Sequence, residues 1–187
     1  MLAAPQPQEI LDTALEALRN SEDWKSVLDD LPVPVYTTDA DGSVTYWNQA
    51  CVDFAGREPQ LGTDRWCVTW QLYTLDGEFL PHAECPMAEA VKTRTEVRGK
   101  VAIAMRPDGS RRAFCPYPTP FFDEAGNFGG AVNLLIDVSH KQAQELSAQA
   151  ARCKRLARAT TDSQASSILA SMAREYAATA ATLDCAD

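Results

Sequence analysis

The chain has 187 residues, enough for one domain with extensions but short for two full domains. Its hydrophobic content of 45% excludes a disordered chain, and its longest uncharged apolar run, Gly129 to Ile136, is far below the ~20 residues of a bilayer span. The formal charge of −9 argues against binding that depends on neutralising phosphates.

Neither nucleic acid nor a membrane is therefore expected as a partner. The one basic group, Arg152, Lys154, Arg155 and Arg158, reads as a solvated helix face. Met1 to Pro5 has no basic region leading into an apolar core, so no secretory signal is expected and the location reads as cytoplasmic. The six cysteines are Cys51, Cys67, Cys85, Cys115, Cys153 and Cys185. They form no CxxC pair, and reduced thiols are the expectation. His82 and Cys85 approach ligand spacing, but two ligands make no zinc site.

Along the chain, Gln8 to Leu31 reads as helical. Leu11, Ala14, Leu15 and Leu18 recur at helical spacing. Asn20-Ser21 interrupts, with Ser21 as a candidate N-cap for a second helix bearing Trp24, Val27, Leu28 and Leu31. Pro32 and Pro34 end it. Val33 to Thr38 is β-branched and aromatic, Asp39 to Gly42 is a turn, and Val44 to Trp47 is the returning strand. Asn48 caps a short helix ending near Gly56. Pro59 to Pro81 is irregular, with Trp66, Trp70 and Leu72 as apolar anchors.

Pro86 to Thr93 reads as a helix. Three strand-like runs follow: Val97 to Met105, Arg112 to Phe122 and Phe128 to Val138. From Ser139 to Leu183 the pattern is helical again. Leu146, Ala150, Cys153 and Leu156 mark one stripe, and Leu169, Met172, Tyr176 and Leu183 mark another. Thr160-Thr161-Asp162 separates them and offers an N-cap. Each stripe covers about two heptads, which fits a helical hairpin or a dimer seam.

Two strands, short helices and a three-stranded antiparallel meander resemble a PAS domain. Thr38-Asp39-Ala40-Asp41-Gly42-Ser43-Val44-Thr45-Tyr46-Trp47-Asn48 is similar to that family's first hairpin. Asp137-Val138-Ser139 resembles its Asp-x-Thr/Ser ending, which in the family leads into a signalling helix. Asp64-Arg65-Trp66-Cys67, the run from Leu80 to Ala88, and Pro116 to Pro120 resemble a subgroup found in bacterial sensor histidine kinases. The resemblance spans about residues 31 to 140. No kinase module is expected within this sequence: only 47 residues follow His140, and no phospho-acceptor motif surrounds that histidine. The Asn-Cys-Arg-Phe-Leu-Gln type motif of light-sensing flavin PAS domains is missing too.

The resemblance implies an α+β fold: a five-stranded antiparallel sheet with short helices on one face, flanked by helices at both ends. Residues 1–31 form an N-terminal helical cap, 32–139 the sensor domain, and 140–187 a helical hairpin or dimerisation pair. Strand alternation combined with the family pattern puts Tyr36, Thr38, Ala102, Ala104, Phe114, Pro116, Asn133 and Leu135 inside. Phe54, Trp70 and Met87 are expected to close the helical side. As a ligand site these positions compete with plain core packing. Tyr36, Thr38 and Asn133 are the informative ones, because buried polar groups need partners.

His82 and Cys85 are the candidate cofactor residues, since both side chains ligate haem and some members of the family hold it. No catalytic template is found: there is no nucleophile elbow, phosphate loop or zinc-protease helix. The expected function is a non-enzymatic sensory protein acting through protein–protein contacts and homodimerisation, with an unidentified signalling partner and with room for a small ligand. The expected dimer or partner interface is Leu146, Cys153, Leu156, Leu169, Met172 and Tyr176. The alternatives are a haem- or flavin-binding sensor, or a ligand-free scaffold.

Overall fold

The computed structural model describes residues 6–183. Met1 to Pro5 and Cys185, read above for a signal and for thiols, lie outside the described residues. Two helices open the chain, α1 (Pro7–Asn20) and α2 (Trp24–Asp29). The break falls at Asn20-Ser21 as the pattern predicts. The residue before α2 is Asp23 rather than Ser21, and the Ser21 hydroxyl instead accepts the Asp23 N–H at 3.1 Å.

The hairpin β1 (Val35–Asp39) and β2 (Val44–Trp47) leads into α3 (Gln49–Ala55). Then come β3 (Gln71–Tyr73), β4 (Phe79–Leu80), a 3-10 turn at His82–Glu84, and α4 (Pro86–Thr93). The meander is β5 (Ala102–Met105), β6 (Arg111–Pro116), β7 (Thr119–Phe122) and β8 (Phe128–Asp137). Two long helices close the chain, α5 (Ser139–Ala159) and α6 (Ser163–Thr182).

The sheet is antiparallel, in the order β2-β1-β8-β6-β5-β3-β4. The expected five strands are its centre. The β3–β4 hairpin widens it at the β5 edge, inside the segment read as irregular. Strands of three and two residues are too short to carry a period. The run expected as one strand from Arg112 to Phe122 is two, because Pro116 and Pro118 lack ladder N–H groups. β7 nevertheless continues along β8, with Thr119 opposite Val132. The strand expected from Val97 starts at Ala102.

Register sorts the side chains. Tyr36 pairs with Asn133 and Thr38 with Ala131, while Ala102 pairs with Phe114. These residues face inward, where α3, α4 and the loops cover the sheet. The inner core comprises Tyr36, Val44, Cys51, Phe54, Cys67, Val68, Leu72, Met87, Phe114 and Leu135, among others. Phe54 and Phe114 meet edge to face at 5.6 Å between ring centroids.

The alternate residues face outward, and helices cover them in two halves. Val35, Val132 and Leu134 pack against Ile10, Leu11, Ala14 and Leu28 of α1 and α2. Ile103 and Ala113 pack against Leu146 of α5 and Leu183, just past α6. α5 and α6 lie against each other within the chain. Asp162 caps α6, its carboxylate accepting the Gln164 and Ala165 N–H groups at 2.8 and 3.0 Å.

Asn48 joins three parts. Its side-chain oxygen accepts the N–H groups of Cys51 at 3.2 Å and Val35 at 3.1 Å. Its amide donates to the carbonyls of Leu28 at 3.2 Å and Val33 at 3.0 Å. The residue read only as a helix cap thus also ties α2 to β1.

Candidate functional site

Most residues expected in the interior are there. Tyr36, Phe54, Met87, Ala104, Phe114 and Leu135 belong to the buried inner cluster, and Ala102 joins them. Asn133 is buried beside them. Trp70 is not: it is 44% exposed. Val68 and Leu72, on either side of it, are the fully buried apolar residues nearest to it. In an irregular stretch, apolarity alone does not say which neighbour turns inward.

A polar chain crosses this interior. The Tyr36 hydroxyl donates to the Trp66 carbonyl at 2.9 Å and accepts from Asn133 Nδ2 at 3.0 Å. Asn133 Oδ1 accepts the Tyr117 N–H at 2.9 Å, where β6 gives way to β7. Burial raises the Tyr36 hydroxyl well above its ordinary pKa, so it stays a neutral donor. Thr38 Oγ1 is fully enclosed and has no protein partner among the described residues.

Cys51, Cys67 and Cys85 are buried free thiols. Burial pushes Cys85 up to about 12 and raises Cys51 and Cys67, so none is a ready thiolate. The Cys85 sulfur is directed at the Trp66 carbonyl, 3.9 Å away, inside the packed core. His82 sits on the 3-10 turn, half-buried, with Nε2 unpartnered among the described residues. Its pKa is lowered by burial, partly offset by Asp64. The Cys85 thiol is thus enclosed in the packed core, while His82 lies half-buried on the turn before it. Among the described residues, no three His, Cys, Asp or Glu side chains cluster to hold a metal.

The expected interface residues divide. Leu146 is buried on the sheet and Tyr176 packs beside it. Cys153 is buried within the chain, while Leu169 and Met172 are half-buried. Leu156 is 46% exposed.

A surface groove of about 650 Å³ opens beside the inner core. Ala40, Asp41, Trp66, Val91, Lys92, Arg94 and Phe128 are among its lining residues. Trp66, Val91 and Phe128 belong to or pack on the inner cluster, so the groove floor is the core's outer skin. Trp66 stands out in the sequence through the Asp64-Arg65-Trp66-Cys67 motif, whereas Lys92, Arg94 and Phe128 carry no local signal. Their convergence depends on the ends of α4 and β8 meeting the first hairpin, which no local spacing encodes.

The family profile described as PAS fold matches residues 28–143. The chain belongs to the PAS-fold family, and its sheet and helices form a sensory domain fold of that type. No curated protein matches the chain. Among solved structures, it is similar to the Rhodobacter sphaeroides LOV protein, with 15% identity and a TM-score of 0.49 over 90% of this chain and 93% of that one. It is also similar to a PAS domain from Colwellia psychrerythraea, with 17% identity and a TM-score of 0.42 over 60% and 92%. A third is the LOV domain of a blue-light activated histidine kinase from Erythrobacter litoralis, with 21% identity and a TM-score of 0.43 over 58% and 97%.

Proposed function

We propose that this chain is a non-enzymatic signalling protein of the cytoplasm. Its PAS domain receives a small-molecule signal, and its C-terminal hairpin passes the change to a second copy of the chain or to a partner protein. The observation that carries this reading is the junction at Asp137-Val138-Ser139. The Ser139 hydroxyl accepts the Ala113 N–H at 2.9 Å, and the Val138 N–H donates to the Ala113 carbonyl at 2.9 Å. Asp137 accepts the Ser139 N–H at 2.9 Å and pairs with Arg112. The start of α5 is therefore pinned to β6, and any shift between β6 and β8 moves the helix.

Beyond that anchor the hairpin offers a surface. Leu156, near the end of α5, and Ile168, near the start of α6, are 46% and 55% exposed. Both lie toward the turn that joins the helices. Their exposure on an otherwise well-packed chain supports a contact made by the hairpin tip. Light scattering after size-exclusion chromatography tests it. The native chain is expected to run as a dimer, and Leu156→Lys with Ile168→Lys as a monomer of unchanged helicity. A native chain that stays monomeric across concentration would remove the dimer from this reading.

A further inference from the structure

The groove beside the core has features that ordinary packing does not require. The only two described non-glycine residues with positive φ, Trp66 at 69° and Arg94 at 56°, both line it. A left-handed backbone is strained for any residue with a side chain, and it is unusual for a bulky one. Arg94 occupies the C-cap of α4, where glycine is the usual left-handed residue. Glycine would relieve the strain and lose the guanidinium.

Trp66 is held firmly in its strained state. Its N–H donates to the Gly42 carbonyl at 2.8 Å, and its carbonyl accepts the Tyr36 hydroxyl. Gly42 is required there: a Cβ would fall 2.0 Å from the indole ring. The surrounding structure thus fixes an aromatic wall at the groove.

The charge is local and positive. The whole chain carries −9, yet three cations gather here. Arg65 and Lys92 lie 5.1 and 5.4 Å from the Trp66 ring centroid, and Arg94 lies 5.4 Å from that of Phe128. Asp41 is the one carboxylate in the lining. Lys92 donates to the Ala83 carbonyl and keeps further N–H groups, while Arg94 makes no hydrogen bond or ion pair to another described residue. Its five donors are free for an acceptor.

We propose that this groove is the effector site of the domain, and that it takes a small organic anion with a flat aromatic body. Lys92 and Arg94 engage the carboxylate, and Trp66 and Phe128 flank the ring. The Trp66 carbonyl then links the occupied groove through Tyr36 and Asn133 to β8, whose end starts α5. The proposal rests on reading the domain as a small-molecule sensor.

The test uses the full ¹⁵N-labelled chain titrated with 1-naphthoate, its neutral analogue 1-naphthalenemethanol, and inorganic phosphate. Naphthoate is expected to shift the Arg94 and Asn127 amides and the Trp66 indole N–H saturably. The alcohol and phosphate are expected to bind at least about tenfold more weakly, as loss of a charge-assisted contact predicts. Arg94→Asn keeps a residue that tolerates the left-handed backbone and is expected to weaken naphthoate by about tenfold. Absence of saturable shifts, equal binding of phosphate, or unchanged affinity in Arg94→Asn would overturn the proposal. Shifts confined to Tyr36 and Asn133 would also overturn it while leaving the sensory reading intact.

Discussion

The two helical attachments cover the same outer face of the sheet, but they hold it differently. α1 and α2 bury Ile10, Leu11, Ala14 and Leu28 on Val35, Val132 and Leu134. Asn48 adds bonds to Leu28 and Val33, and the Tyr46 hydroxyl donates to Asp29 at 2.6 Å. α5 and α6 are much longer, yet their buried anchors on the sheet are Leu146 and Leu183. α6 itself buries one residue, Ala173. The first attachment is an extension of the core. The second is a lever held at one end, and helices with few buried apolar contacts are the ones that open at low free-energy cost.

Three substitutions probe how the parts are held. The largest effect is expected from Asn48→Ala. It leaves the Val35 N–H and the Val33 carbonyl without their side-chain partner, removes one of two bonds from the Cys51 N–H and the Leu28 carbonyl, and should cost about 3 kcal/mol. Urea unfolding measures it; a loss close to zero would mean that α2 is not tied to the core in this way. Ser139→Ala should cost less, about 1 kcal/mol. Its mark should be loosening of the first turn of α5 with the sheet intact, seen as faster amide exchange confined to that turn.

The smallest effect concerns His82. Burial lowers its folded pKa below 6.5, so the unfolded chain binds the proton first as pH falls. Stability should decline as pH drops through that value and level off below the folded pKa. Urea midpoints between about pH 7 and 5 should show this, and His82→Gln should flatten that part of the slope. An unchanged slope in the variant would assign it to other groups.

Much of this architecture was legible in the sequence, because the signals were local. Tyr36 and Asn133 follow strand alternation, Asn48 and Asp162 precede helices as caps do, and Asp137-Val138-Ser139 marks the exit into α5. What escaped is long-range. Trp70 was read as core from its apolarity, while burial fell on Val68 and Leu72. Leu146 and Tyr176 follow helical stripes that fit a neighbouring chain as well as their own sheet. The groove joins Trp66 from a loop, Arg94 from a helix end and Phe128 from the start of β8. Its two positive φ angles leave no compositional trace, since neither residue is glycine.

Native-state hydrogen exchange of the full chain tests the central contrast most directly. The α1 amides are expected to exchange only with global unfolding, while those of α6 and the distal half of α5 open at clearly lower free energy. Equal protection of the two attachments, or a hairpin more protected than α1, would contradict it.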